Sequence, residues 1–281
     1  MFKLILILNI FMIVSCFGVR SKHSKVPLNP NGGEFSLSIM TFNILASIDL
    51  KSKHDGYGSW HQRRGKVFNL IRNKNPQILI VQECTEKQFA HFRDEFSEDY
   101  QILQFRNSTP DVIILFKKDF FSILEQGHWN IESVTNLRIP RIAAWVKLHH
   151  LNSQSDLMVV GAHFDATMKR IHEIKMVNKE LARDYSSGAP MFLAGDFNSS
   201  PTEPGYSDIL DHGWQESFHK DGGATLYTFP ALKPSRQIDH ILYRGNRVRV
   251  MNWSIVFNEA GPPASDHKAV YAEFFIERTP R

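Results

Sequence analysis

Several apolar segments of this sequence end at a polar or charged residue, and this regularity limits the possible folds more than any other feature. Four of the segments have the β-branched and aromatic composition that is typical of strands. They end at Asn43, Glu83, His163 and Asp196. The carboxyl ends of strands in α/β sheets meet at one rim, where ligands usually bind. The pattern therefore predicts an α/β fold with a polar site at the rim of a sheet.

The remaining sequence predicts one continuous α/β domain. Eight segments have strand-like composition: 35–43, 77–82, 112–116, 142–149, 157–163, 191–194, 238–243 and 269–276. Three segments have helical periodicity: 60–73, 85–96 and 167–185. The chain is 42% hydrophobic and 22% charged, which excludes disordered and fibrous classes.

The first residues are typical of an export signal. Lys3 is followed by the apolar run 4–14, which is shorter than the roughly 20 residues of a membrane span. Residues 1–18 are predicted to be a signal peptide, either cleaved at a small-residue site or lipidated at Cys16. The segment 19–33 is predicted to be a flexible tether, and the domain to span 34–281.

These features predict a secreted, extracellular or periplasmic monomer that meets a membrane only if Cys16 is lipidated. The chain has two cysteines, so the mature domain, with Cys84 alone, is expected to lack an internal disulfide. The net charge of +4 is spread along the chain and only weakly favours an anionic substrate.

Oxygen donors gather at the predicted rim. Hard cations such as Mg²⁺ take carboxylate and amide oxygens as ligands and leave positions for water and phosphate. Asn43, Glu83, Asp196, Asn198 and Asp266 supply donors of this kind.

Six short motifs give the sequence a resemblance to a known family. They are Thr41-Phe42-Asn43, Gln82-Glu83, Ala162-His163-Phe164-Asp165, Gly195-Asp196-Phe197-Asn198, Ile238-Asp239-His240-Ile241 and Ser265-Asp266-His267. In this order they resemble the endonuclease/exonuclease/phosphatase superfamily. The chain is most similar to its exported bacterial-type branch, in which a Trp and an Arg precede the first helix, as Trp60 and Arg64 do here.

The resemblance implies a four-layer sandwich of two packed mixed β-sheets flanked by helices, with one metal-dependent phosphoesterase centre. By the same resemblance Asn43, Glu83 and Asp266 are metal ligands, Asp266 either directly or through water. The expected cofactor is Mg²⁺, with Mn²⁺ as the alternative, in a site of one or two ions.

The resemblance also implies the catalytic groups. His267 matches a general base or phosphate-binding histidine, and Asp239 matches the acid that orients it. Asp196 and Asn198 match the pair that positions the attacking water and holds the phosphoryl oxygens. His163 matches a histidine that stabilises the pentacovalent state or protonates the leaving oxygen. Whether His267 or Asp196 takes the proton from water stays open.

The sequence departs from the family pattern before His163, where Gly161-Ala162 replaces the common Asn-Thr and removes a hydroxyl. Asp111 stands where family members carry an acidic partner for this histidine. Arg141 is a candidate substrate-binding residue, with an ion pair to a surface acid as the alternative.

These features predict a phosphoesterase that hydrolyses a phosphodiester or a phosphomonoester. Family members attack nucleic acids, phospholipids and inositol phosphates, and the sequence does not choose among them. A nucleic acid is therefore one expected partner among several phosphate-ester substrates. The alternative is an exported binding module or effector that kept the fold and lost the chemistry.

Overall fold

The computed structural model describes residues 28–29, 31–47, 56–105, 111–131, 141–184, 188–210, 212–218, 226–258 and 260–278. The predicted signal peptide, including Cys16, and most of the predicted tether lie outside these ranges. Among the described residues, the helices are all too short or too polar to cross a membrane.

The described residues form two mixed sheets of six strands each. The first sheet has the order β11 (Val248–Val256), β12 (Ala269–Ile276), β1 (Phe35–Asn43), β2 (Ile78–Cys84), β4 (Asp111–Lys117) and β3 (Tyr100–Gln104). The second has the order β5 (Phe121–Asn130), β6 (Ile142–His150), β7 (Ser155–His163), β8 (Met191–Asp196), β10 (Asp239–Arg244) and β9 (Gln215–Glu216). Strand β1 is parallel to β2 and β7 is parallel to β8, and the other neighbours are antiparallel.

Helices cover the outer face of each sheet. Helices α1 (Trp60–Lys74) and α2 (Glu86–Phe96) pack on the first sheet, and α3 (Arg170–Asp184) and α4 (Tyr206–Leu210) pack on the second. A third apolar cluster joins the inner faces of the two sheets. The structure thus confirms the four-layer sandwich.

Strand β2 shows why its sequence is continuously apolar. Successive side chains point to opposite faces of a strand. Ile78 and Ile80 lie in the cluster between the sheets, and Leu79 and Val81 lie in the cluster under the helices. Both faces are buried, so every position of the strand interior is hydrophobic.

The eight predicted strands are confirmed to within two residues, but four strands were not predicted. These are β3, β5, β9 and β11, and each lies at an edge of a sheet. Helix α4 was also not predicted, and Trp60 and Arg64 lie inside α1 and do not precede it. In the edge strand β5 most side chains are partly or fully exposed, so its sequence mixes polar and apolar residues and lacks the signal of a buried strand.

Part of the predicted tether is packed against the domain. Leu28 is buried in the cluster under α3. The backbone N–H of Asn29 donates to the carboxylate of Asp156, and the N–H of Gly33 donates to the carbonyl of Ser153. The packed region therefore begins before the predicted boundary at Glu34.

Gly161 marks a close approach of the two sheets. A Cβ atom at this position of β7 would lie 2.8 Å from Cγ2 of Ile80 and 3.0 Å from Cγ1 of Val112, both in the first sheet. Glycine allows the sheets to pack closely two residues before His163.

Candidate active site

The two parallel strand pairs deliver four of the predicted residues to one rim. Asn43 ends β1, His163 ends β7 and Asp196 ends β8, and Glu83 is the penultimate residue of β2. Their side chains form a connected network of contacts, described below. The predicted cluster at the ends of the strands is therefore present.

The carboxylate of Asp196 lies at the centre of this network. Its Oδ2 atom accepts a hydrogen bond from Nδ2 of Asn43 at 3.0 Å and lies 3.6 Å from Nε2 of His163 and 3.7 Å from Nε2 of His267. Its Oδ1 accepts from the backbone N–H of Asn198 at 2.9 Å. The preceding Gly195 is required here, because a Cβ would collide with the carbonyl of the neighbouring strand.

His267 and Asp239 form a buried pair. Nδ1 of His267 lies 2.9 Å from Oδ2 and 3.2 Å from Oδ1 of Asp239, and the ring packs against Phe229 with a centroid distance of 4.7 Å. Burial of His267 disfavours its charged form. The carboxylates of Asp239 and Asp196 outweigh this effect and raise the pKa of His267 to about 10.

His163 has a comparable partner in Asp111. Nδ1 of His163 lies 3.2 Å from Oδ1 of Asp111, as the resemblance implies. Burial and the cation of Arg141 lower the pKa of His163, but Asp111 and Asp196 raise it more, and the net shift is upward. Burial would raise the pKa of Asp111, but His163 and Arg141 lower it to about 2.

Arg141 belongs to this second pair. Its Nη1 atom lies 3.5 Å from Oδ2 of Asp111 and donates to the backbone carbonyl of His163 at 3.3 Å. The acid that it meets is thus a residue of the site and not a remote surface acid. Asp111 and Arg141 each keep 22% of their side-chain surface exposed, so the pair lies at the mouth of the site.

Glu83 and Asp266 form the acidic side of the site. Glu83 accepts from Nδ2 of Asn43 at 3.1 Å and from the N–H of Ala46 at 2.9 Å. Burial raises the pKa of Asp266, His267 opposes the shift, and the negative charge of Glu83 adds to it. A cation between the two carboxylates would remove this repulsion, and their oxygens fit a hard cation.

Asn43 donates hydrogen bonds to two carboxylates of the site. Its Nδ2 atom points to Glu83 and Asp196, and its Oδ1 atom accepts from the N–H of Leu45 at 3.1 Å. Ligation through Oδ1 would require rotation of the amide.

Asp196, Asp239 and His267 form a second group able to hold an ion, with one potential ligand atom of each within 4.8 Å of the others. The hydrogen bonds between Asp239 and His267 already account for two members.

Asn198 is tied to the neighbouring strand end. Its Nδ2 atom donates to the carbonyl of Phe164 at 2.9 Å, which joins the segments that follow β7 and β8. This contact positions His163 and Asp196 relative to each other. Water orientation by the remaining amide oxygen stays a prediction.

Arg63 is a buried residue of the site that the sequence interpretation missed. Its guanidinium donates to the carbonyls of Ile44, Leu45, Gly58 and Ala264 at 2.7 to 3.1 Å. Burial lowers its pKa to about 10, although the nearby carboxylates oppose the shift. Arg63 thus fixes the backbone beside Asn43 and Asp266.

Strained backbone is concentrated at this rim. Four non-glycine residues of the rim have positive φ angles: Leu45 (60°), Glu83 (58°), Asp111 (38°) and Asn198 (49°). Such conformations cost of order 1–3 kcal/mol each and persist where the surrounding structure holds them. Their clustering supports a functional role for the rim.

Solved structures share this fold. The chain superimposes on an endonuclease/exonuclease/phosphatase family protein from Bacteroides thetaiotaomicron with a TM-score of 0.75 and 18% identity, covering 88% of this chain and all of that one. It superimposes on a mannosyl-6-phosphatase of the same organism with a TM-score of 0.72 and 18% identity, covering 85% of this chain and 99% of that one.

A curated relative is similar in sequence. Nocturnin of Drosophila melanogaster is 24% identical over 214 residues, which are 66% of this chain and 32% of the fly protein. The chain therefore spans about a third of the length of that relative.

The family assignment rests on a longer match. Residues 40–267 match the Endonuclease/Exonuclease/phosphatase family, and this range contains every site residue from Asn43 to His267. Members of this family are hydrolases that act on phosphoester bonds. Because the match covers more than half of the sequence, this chain belongs to the Endonuclease/Exonuclease/phosphatase family.

Proposed function

We propose that this chain is an exported, Mg²⁺-dependent phosphoesterase that hydrolyses a phosphodiester or a phosphomonoester. The observation that carries the proposal is the surroundings of Asp196. One oxygen of this buried carboxylate faces the Nε2 atoms of His163 and His267 at 3.6 and 3.7 Å and the amide of Asn43 at 3.0 Å. Groups that hold anions and move protons thus converge on one point.

The acidic side is proposed to hold the cation. Glu83 and Asp266 are the expected ligands, and Asn43 joins them if its amide rotates. When bound there, Mg²⁺ would polarise a phosphoryl oxygen and withdraw developing negative charge. Support comes from the donor chemistry and from the mutual repulsion of these carboxylates.

His267 is proposed to act through its Nε2 atom. Because Asp239 binds Nδ1, the ring is held in one orientation with Nε2 directed toward Asp196. With the pKa of His267 raised, Nε2 carries a proton near neutral pH and would hold a phosphoryl oxygen. It can take the proton of the attacking water only from the deprotonated ring. Asp196 lies beside it and is the other candidate acceptor for that proton.

His163 is proposed to serve the opposite side of the phosphoryl group. Asp111 binds its Nδ1, and Nε2 is again directed toward Asp196. A protonated His163 would stabilise the pentacovalent state and donate a proton to the leaving oxygen. Arg141 contacts Asp111 and the His163 carbonyl, so we propose that it positions this pair. Its partly exposed guanidinium is also a candidate for binding substrate phosphate.

The substrate class remains as broad as the family. One structural neighbour is a mannosyl-6-phosphatase. Export is supported by the sequence 1–14, in which Lys3 precedes an apolar run of the kind found in signal peptides. Fractionation should find the mature chain outside the cytoplasm, and a cytoplasmic chain that retains residues 1–14 would contradict export.

The activity is tested with bis(p-nitrophenyl) phosphate. The purified domain should release p-nitrophenol with Mg²⁺ or Mn²⁺, and this hydrolysis should stop in EDTA. Full activity in EDTA would refute the metal requirement, and no activity on this ester or on DNA, RNA, sphingomyelin, sugar phosphates and inositol phosphates would refute the phosphoesterase.

A further inference from the structure

Arg236 lies beside the proposed reaction centre on a segment that is itself bound to the site. Its backbone pairs with that of Phe229, whose ring packs on His267. The hydroxyl of Thr228 in the same segment accepts from the N–H of Asp239 at 3.3 Å. The position of Arg236 is therefore fixed relative to the catalytic pair.

The guanidinium of Arg236 also contacts the segment that follows β8. Its Nη2 atom donates to the carbonyl of Asn198 at 3.2 Å, and the N–H of Asn198 donates to Asp196. The backbone of one residue thus separates Arg236 from the central carboxylate. A phosphate bound beside Asp196 would therefore have Arg236 as a neighbour.

Two arginines share one carboxylate at this position. Glu203 lies 3.0 Å from Nη2 of Arg236 and 3.7 Å from Nη2 of Arg170. Two guanidinium charges against one carboxylate leave one formal positive charge in this group. Arg170 is buried, and its Nε atom has no hydrogen-bond partner among the described residues.

The two arginines differ in exposure. The side chain of Arg170 is 8% exposed and that of Arg236 is 36% exposed. Within the described part of the chain, the hydrogen bonds of the Arg236 guanidinium all pass through Nη2. The other nitrogens of its planar fork make no hydrogen bond within the described residues and are not buried, so they are free to bind phosphate oxygens in pairs.

We propose that Arg236 binds a second phosphate group of the substrate, next to the phosphate that is hydrolysed. The proposal rests on the phosphoesterase function and adds a substrate class, phosphoesters that carry two phosphate groups on one sugar. Arg170 and Glu203 support this subsite: Glu203 holds both guanidinium groups in place, and Arg170 supplies the excess positive charge.

The test uses matched nucleotides as competitors of bis(p-nitrophenyl) phosphate hydrolysis. Inhibition constants are measured for adenosine 3′,5′-bisphosphate, adenosine 5′-monophosphate and adenosine 3′-monophosphate. The wild type should bind the bisphosphate about tenfold more tightly than either monophosphate, the size of one charge-assisted hydrogen bond. In Arg236→Ala the ratio of the monophosphate to the bisphosphate inhibition constants should fall to about one. In Arg236→Lys it should stay between one and the wild-type value.

The control is Arg249→Ala. Arg249 is also an exposed arginine paired with a glutamate, but it lies on the edge strand β11. Its replacement should leave the ratio unchanged. A ratio that persists in a folded Arg236→Ala protein, or a wild type without preference, would overturn the subsite.

The two proposals fail in different ways. If the wild type hydrolyses nothing, the function is refuted, and calorimetric binding of the same nucleotides in Mg²⁺ still decides the subsite. Tighter binding of the bisphosphate that depends on Arg236 supports the subsite. Equal binding of all three nucleotides refutes it.

Discussion

The two sheets are built on the same plan, yet their rims carry different chemistry. Each sheet places an antiparallel strand pair, two parallel strands and a second antiparallel pair in the same order. The parallel strands are β1 and β2 in the first sheet and β7 and β8 in the second. Equivalent positions of the two sheets can therefore be compared directly.

The equivalent rim residues differ in type. Asn43 of β1 corresponds to His163 of β7. Asp196 of β8 is the direct neighbour of His163, whereas Glu83 of β2 follows Gln82, the direct neighbour of Asn43, by one residue. The first sheet therefore presents an amide and a carboxylate suited to a cation, and the second presents a histidine and a carboxylate suited to proton transfer. The fold thus places both sets of residues at the same rim, and the residue types make one set suited to bind a cation and the other to transfer protons.

A second correspondence joins the sheets. Asp111 begins β4 and Asp239 begins β10, and each contacts a residue that lies just before a strand of the opposite sheet. Asp239 binds His267, which lies shortly before β12, and Asp111 contacts Arg141, which lies just before β6. The position filled by a histidine in one half is filled by a permanent cation in the other.

The largest effect should follow from breaking the pair that contains His267. His267→Ala should lower kcat by about 10²–10⁴, the range of general acid–base groups. Asp239→Asn should lower kcat without a comparable change in KM, and the double variant should lose little more than the worse single variant. Steady-state kinetics at saturating Mg²⁺ measure these values.

The control for this comparison is His172→Ala, because His172 is an exposed histidine of α3. A normal kcat in folded, metal-saturated His267→Ala would remove His267 from the mechanism. Asp196 would then be the better candidate base.

The next effect separates the metal side from the histidine side. Glu83→Gln should raise the Mg²⁺ concentration for half-maximal activity by about ten- to a hundredfold, because a ligand loses its charge. His163→Ala should lower kcat and leave the metal requirement near that of the wild type. Metal titrations of activity test both, and Glu277→Gln, at an exposed pair with Arg249, is the control. An equal metal requirement in wild type and Glu83→Gln would contradict the division of tasks.

A smaller effect is expected at Arg141. Arg141→Ala should lower kcat by about tenfold, the lower end for groups that act through another residue. Arg141→Lys should recover part of the loss, because it keeps the charge near Asp111. A change confined to KM would instead assign Arg141 to substrate binding.

The smallest effect concerns the stability of the metal-free protein. The pKa of His267 is raised from 6.5 to about 10, so its contribution is complete below pH 6.5 and is lost as the pH rises toward 10. The pKa of Asp111 is lowered from 3.8 to about 2, so its contribution is present above pH 3.8 and is lost as the pH falls toward 2. Thermal unfolding in EDTA should therefore show a Tm that falls on both sides.

The two variants should separate the limbs of this profile. Asp239→Asn should flatten the alkaline limb and keep the acid limb, and Asp111→Asn should do the reverse. Each kcal/mol corresponds to roughly 2–4 °C for a chain of this size. If Asp239→Asn and Asp111→Asn show the same dependence of Tm on pH, neither pair contributes to stability as inferred.

The sequence predicted the interior strands and missed the edges for a physical reason. An interior strand such as β8 is buried on both faces, so its composition is distinctive without knowledge of its neighbours. The edge strand β11 has exposed residues such as Arg249 and Met251 between apolar ones. Its pairing with β12 depends on a contact that local composition does not encode.

The site was predicted unevenly for a similar reason. Strand-end position indicated Asn43 and Asp196, but the Asp239–His267 pair was inferred only through the family resemblance. Arg63 was missed because two of its carbonyl partners, at Ile44 and Ala264, come from segments far apart in the sequence. A signal existed, since Arg63 follows Trp60 by three residues on the buried face of α1.

Both histidine–carboxylate pairs cross from one sheet to the other, so the apolar core sets the length of the catalytic contacts. Gly161 lets the sheets approach without a side chain between β7 and Ile80. A methyl group there, or expansion of the core on heating, would lengthen the contacts of His163 before any polar atom changed. The turnover rate therefore depends on the spacing of the two sheets. Core residues that never touch a substrate affect activity by setting that spacing.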